Sequence, residues 1–310
     1  MRKILLSSTA LVALGVTSAS ADVSISGGAE LTFKSSEVSG AASTDVIGQE
    51  NFDYQISFSN TLDNGMSVAG SVNTSETGVE ETGATISGDF GTIGFGPLGE
   101  AGDGFATALD VTPDEATPFT VGTDYTDDPG DEYVAGADVS YKSANMGGFQ
   151  FAIGMGDNGT GETTTVGAQF ATTMGTTSLT VKYNYSDTAI SDGDDVDAHS
   201  MGLVMGMGNA TLTVAQNTMD TGTSEALVST GAALTFAVND SLTLSAYSAN
   251  QSDDKDTNVD VTDNGFGATY TITPGLSVSV THNELDVKNS STYTTSTSGS
   301  ATTAAINVSF

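Results

Sequence analysis

The chain has 310 residues, 37 of them glycine, with no cysteine and no tryptophan, and a formal net charge of −32 from 39 acidic against seven basic residues. Without cysteine there is no disulfide framework and no thiolate chemistry. So acidic a chain is also no nucleic-acid binder, because phosphate contacts need clustered Lys or Arg. Acidity of this degree aids solubility in salt-rich surroundings and also attracts cations, and the two readings are compatible.

The first residues have a character of their own. Arg2 and Lys3 precede an apolar stretch from Ile4 to Val16, broken only by Ser7, Ser8, Thr9 and Gly15, and Ser18-Ala19-Ser20-Ala21 supplies small residues. This pattern reads as a secretory signal peptide over 1–21, cut after Ala21. It is shorter than the roughly 20 residues with which a helix crosses a bilayer. The remainder, 22–310, reads as one domain whose only basic residues are Lys34, Lys142, Lys182, Lys255 and Lys288. It contains no run of 18 apolar residues, so any membrane crossing would have to use strands. Abundant Gly, Ser and Thr with few helix formers favour strands as well.

Strands are predicted along the whole domain. The first lies near 23–34, where Val23, Ile25, Ala29, Leu31 and Phe33 alternate with small or polar residues. Phe52, Tyr54, Ile56 and Phe58 then lead through the turn Thr61-Leu62-Asp63-Asn64-Gly65 into Met66, Val68, Gly70 and Val72. Asn-Gly between alternating runs is a strong hairpin signal. The unit recurs at 84–95, 139–155, 166–185, 201–214, 228–246 and 266–280. A last strand near 300–310 carries Ala304, Ile306, Val308 and Phe310 on one face and Ala305, Asn307 and Ser309 on the other. Seven hairpins and two flanking strands make sixteen, an even number with both ends on the short-turn side.

The connections between hairpins are longer, polar and acidic, near 35–49, 75–81, 97–137, 157–163, 187–197, 218–225, 251–262 and 286–299. Short turns on one rim and long loops on the other predict an all-β fold, a 16-stranded antiparallel transmembrane β-barrel. A soluble sandwich is the competing fold, but the face opposite the apolar one is Ser, Thr, Asn, Gln, Gly and charged, and it could not pack a dry interior. It fits a water-filled lumen. Tyr54, Tyr141, Tyr183, Tyr185 and Tyr270 are candidates for an interface girdle and equally for ordinary strand aromatics.

Parity places Lys34, Lys142 and Lys182 on the inner wall, together with Glu30, Asp53, Asp89 and Asp138. The connection 97–137 is far longer than ordinary loops. It carries Glu100, Asp103, Asp110, Asp114, Glu115 and Asp124, then Asp127, Asp128, Asp131 and Glu132, with no basic residue. Its apolar Phe105, Leu109, Val111, Phe119 and Val121 would anchor it if this third loop folds into the lumen as a constriction. An external cap or partner-binding loop is the other reading. Asp127, Asp128, Asp131 and Glu132 supply hard oxygens suited to calcium but lack EF-hand spacing, so a solvated acidic run fits equally well.

The leader, the Thr61-to-Gly65 turn, Gly88-Asp89-Phe90-Gly91-Thr92-Ile93-Gly94-Phe95-Gly96 before the long loop, and terminal Phe310 resemble the trimeric general porins of alphaproteobacteria, the Rhodobacter-type outer-membrane porins. The resemblance implies a homotrimer in the outer membrane of a Gram-negative bacterium, with the third loop forming an eyelet inside each barrel and calcium near its carboxylates. It also implies that Phe310 is an assembly signal read by the outer-membrane assembly machinery. The family's eyelet sets loop carboxylates against wall arginines, and this domain has no arginine. The expected function is passive diffusion of small hydrophilic solutes, with cations favoured and no cofactor required. The alternative is a secreted, acidic structural or surface-layer protein, an adhesin binding calcium. An enzyme is not expected: His199 and His282, the only histidines, fall on outward parity with no nucleophile–base set around them.

Overall fold

The computed structural model describes residues 22–40, 43–75, 78–96, 105, 137–157, 161–190, 195–220, 226–253, 260–288 and 296–310. They form sixteen antiparallel strands. The first eight are β1 (Asp22–Val38), β2 (Thr44–Thr61), β3 (Ser67–Ser75), β4 (Gly78–Gly88), β5 (Gly91–Phe95), β6 (Val139–Ser143), β7 (Phe149–Asp157) and β8 (Gly161–Met174). The second eight are β9 (Thr177–Ile190), β10 (Val196–Met207), β11 (Ala210–Asp220), β12 (Leu227–Ala237), β13 (Leu242–Asp253), β14 (Asp260–Thr273), β15 (Leu276–Lys288) and β16 (Thr297–Ser309). Each strand pairs with its sequence neighbours, and β1 pairs with β16, so the sheet closes on itself with no free edge.

Asparagines build several of the short turns. Asn64 Oδ1 accepts from Met66 N at 3.1 Å, Asn145 Oδ1 from Gly148 N at 2.7 Å, and Asn239 Oδ1 from Ser241 N and Leu242 N at 2.9 and 3.0 Å. These bonds satisfy backbone donors that a reversing chain leaves unpaired.

The strands outrun the expected connections at their loop ends. The loop expected over 251–262 shortens because β13 continues to Asp253 and β14 begins at Asp260, and β9 runs to Ile190 and β10 begins at Val196. The ladder continues there because cross-strand backbone hydrogen bonds do not require apolar alternation. The sequence signal stops where the lipid-facing pattern stops, and the strand does not.

The outer face is apolar. Val23, Phe58, Phe170, Val181, Leu234, Phe236, Val280 and Ile306 are exposed there. Toward the loop ends it turns charged, with Glu162, Asp187, Glu284 and Asp286 at outward positions. Tyr183, Tyr185, Phe266 and both histidines lie just below this charged rim, where amphipathic rings meet head groups. His199 Nδ1 lies 3.1 Å from Tyr183 Oη, and the His282 ring packs 5.2 Å from that of Phe266. Both histidines are outward, as parity requires.

Candidate permeation pathway

The inner face is the candidate site, and register fixes what points into it. Lys34 pairs with Val46 and Thr303, Lys142 with Thr92 and Ala152, and Lys182 with Gln169 and Gly202. All three lysines are inward and half-buried. They stand on β1, β6 and β9, spread around the wall, so they do not form one basic cluster.

Two of the predicted wall carboxylates come together. Glu30 pairs with Asn51 across from β2, and Asp53 pairs with Gly28 one inward step along the same ladder. They are diagonal neighbours, within reach of each other's field. Glu30 Oε1 accepts from Thr32 Oγ1 at 2.9 Å, and Asp53 is exposed. Asp138 precedes β6 beside Gly156, where an added Cβ would stand 3.5 Å from its Oδ2.

Asp89 departs from expectation. It lies with Phe90 in the turn between β4 and β5 and is exposed at the rim. Parity holds only within a strand, so its inward assignment lapses where the chain reverses.

Exposure divides the inner wall. Inward Thr163, Thr165, Ser186, Ser200, Asn217 and Ser229, on β8 to β12, are buried. Inward Gln55, Ser57 and Ser71, on β2 and β3, are half-exposed, and Asp53 is exposed. Inward Gln169, Thr180 and Thr213 on β8, β9 and β11 are half-exposed as well, so exposure follows height along the wall, and Asp53 is the exposed member of the Glu30–Asp53 pair.

Phe105 belongs to the long connection between β5 and β6 and is 2% exposed. Its ring lies on inward Gly167 of β8, where an added Cβ would stand 2.5 Å from Phe105 Cδ2. Ala137, near the other end of that connection, lies against inward Gly154 in the same way. Both described points of the connection thus sit inside the barrel. Glu100, Asp103, Asp110, Asp114, Glu115, Asp124, Asp127, Asp128, Asp131 and Glu132 fall outside the described residues, as does the leader 1–21. Among the described residues, no three His, Cys, Asp or Glu side chains converge on a metal-sized site.

Asp263, which sequence reasoning assigned to no strand, is inward and fully buried on β14. Tyr247 Oη donates to its Oδ2, and Asn283 Nδ2 donates to its Oδ1 at 3.2 Å. Parity carried back from outward Phe266 would have found it, had the strand been extended past its last apolar residue.

A closed sixteen-stranded barrel with an apolar outside, a polar inside and alternating short and long connections defines an outer-membrane channel. The family model of Gram-negative porins matches residues 7–290, and the chain belongs to that family. The fold agrees with solved structures at low identity. A porin refined at 1.8 Å resolution superposes with a TM-score of 0.67 at 18% identity, covering 93% of this chain and 100% of the other. OmpF of Salmonella typhi, in complex with daunomycin, gives 0.67 at 15%, covering 93% and 97%. The trimer form of OmpT from Vibrio cholerae gives 0.64 at 14%, covering 94% and 99%. Comparison with curated protein sequences returns no match. Family membership sets aside the reading as a secreted surface-layer protein.

Proposed function

We propose that the channel passes small hydrophilic solutes by passive diffusion and favours cations. The observation that carries this is the inward Glu30–Asp53 pair, of which Asp53 is exposed to the lumen. It belongs to a domain with five lysines, no arginine and 39 acidic residues. Carboxylates along a narrow, low-dielectric lumen concentrate cations and repel anions. Phe105 on Gly167 supports a third loop folded inward as the constriction, with Glu100, Asp103, Asp110, Asp114, Glu115 and Asp124 as its acidic face. Asp127, Asp128, Asp131 and Glu132 are the candidates for calcium on that loop.

A homotrimer is the assembly we infer. β5 and β6 have five residues each. At about 3.3 Å per residue they rise roughly 16 Å, short of an apolar band about 25 Å tall. That low stretch of wall suits protein neighbours better than lipid, and the similar OmpT has a trimer form. The leader 1–21 would deliver the chain to the periplasm.

Reversal potentials across a planar bilayer under a KCl gradient test the function. Cation preference in the wild type, reduced in Glu30→Gln/Asp53→Asn, is the expected result. Anion preference, or a double variant indistinguishable from wild type, overturns it.

A further inference from the structure

Toward the loop ends, the alternation on β14 and β15 changes phase. Past His282 on β15, the outward residues are Glu284, Asp286 and Lys288, and the inward ones are Asn283, Leu285 and Val287. On β14, Thr262 and Asp260 are outward and Val261 is inward. The charged face is now outside and the aliphatic face inside, the pattern of a sheet in water with a packed core behind it. Val261 pairs with Val287. Inward Val261, Leu285 and Val287 are 0% exposed, and inward Ala249 and Ala301 are 1% exposed. Aliphatic side chains on the wall of an open lumen would meet water. These meet none, so this sector of the barrel mouth is packed protein.

The strand β2 reaches the same end of the barrel in another state. Gly48, with φ of +79°, lies at the register shift opposite Thr32 and Phe33. An extra residue in one strand re-aims the side chains beyond it. Val46 and Thr44 therefore pair with inward Lys34 and Ser36 and face the lumen. Val46 is 48% exposed, and Thr44 is exposed as well. Val46 is two residues from the start of β2, and Leu285 is three from the end of β15. Both are aliphatic, inward and close to the loop end, so height alone does not explain their opposite exposure. Water enters the mouth at β1 and β2, the two strands that carry Glu30 and Asp53 deeper in the wall.

We propose that ions and small solutes cross the loop end of the barrel in the β1–β2 sector, passing Thr44 and Val46 on the way to Glu30 and Asp53, and that the packed β14–β15 sector carries no traffic. The proposal rests on the channel reading and adds the route.

The chain has no cysteine, so single cysteines report without background. Thr44→Cys, Val46→Cys, Leu285→Cys and Val287→Cys channels in a planar bilayer are each treated from the loop side with a cationic methanethiosulfonate. Thr44→Cys and Val46→Cys should react fast. The positive charge they gain should lower the permeability ratio of K⁺ to Cl⁻ about twofold. Leu285→Cys and Val287→Cys should react about a hundredfold more slowly, because the reagent waits for local opening of the core. Should either fail to fold, as judged by heat-modifiable migration, Ala301→Cys places a small thiol at another buried inward position and should be as slow. Equal rates at Val46→Cys and the buried cysteines show a mouth open all round and overturn the proposal. A fully modified Val46→Cys channel with unchanged current and selectivity overturns it as well, because the route then lies elsewhere. A protein that inserts and shows the split in rates but conducts no ions refutes the channel reading instead.

Discussion

Glycine has two different uses in this barrel, and the distinction can be tested one residue at a time. Gly91 has φ of +115°, and a Cβ there would lie 2.2 Å from Lys142 O. Both the conformation and the space exclude a side chain. Gly175 has φ of +65° with nothing within 4 Å of where its Cβ would be. Only the left-handed conformation excludes a side chain there, at a cost of about 1–2 kcal/mol. Gly91→Ala should therefore lose more stability than Gly175→Ala, by about 2 kcal/mol or more, as strained backbone and displaced neighbours add. Urea midpoints of unfolding from detergent micelles check the order. Equal losses would mean that β5 and β6 yield to make room.

At the scale of elements, Phe105, a described residue of the long connection, seats its ring where Gly167 lacks a side chain. Phe105→Ala should raise single-channel conductance and its noise, because the ring seated on Gly167 is lost. Gly167→Val should do the same by expelling the ring. The double variant should return toward wild type if valine fills the space the ring leaves, a coupling that only contacting residues show. At the other end of the chain, Gly27 N donates to Phe310 O and Phe310 N to Gly27 O, each at 3.0 Å. Deleting Phe310 removes both bonds and the ring over Gly27. Insertion yield on heat-modifiable gels should fall, while the conductance of channels that do insert stays unchanged.

These elements show how far the sequence could be read. Strand number, pairing of β1 with β16 and the inward direction of Lys34, Lys142 and Lys182 all follow from period-two alternation, which lipid enforces on the outer face. The loop ends stand clear of lipid, so alternation fades there while the ladder goes on. That is why Asp263 was hidden, whereas Asp89 was misassigned because the chain reverses there, in the short turn between β4 and β5. The Phe105–Gly167 fit was half legible, since the apolar residues of the loop announced a need for anchors without naming where they seat. Tyr247 was hidden for another reason: it is a large aromatic pointing inward, against the rule that put such residues on the lipid face.

For the whole molecule, charge is the property that reaches furthest. Cation preference that arises from wall carboxylates should fade as salt screens them. Between 0.1 M and 1 M KCl the Debye length shrinks from about 10 Å to about 3 Å. The permeability ratio of K⁺ to Cl⁻ should fall over that range at a fixed gradient. A ratio independent of salt would point to a site that binds ions at contact distance.

Closure between β1 and β16 also fixes an order of events. The pairing runs from Gly28↔Ser309 to Val38↔Gly299, joining the first strand to the last made. Until Thr297 and its successors arrive, β1 carries a bare row of backbone donors and acceptors, an invitation to pair with a stranger. Contacts so distant in sequence form slowly. A chain released before Thr297–Ser309 can reach that edge would therefore be expected to pair with another copy before it pairs with itself.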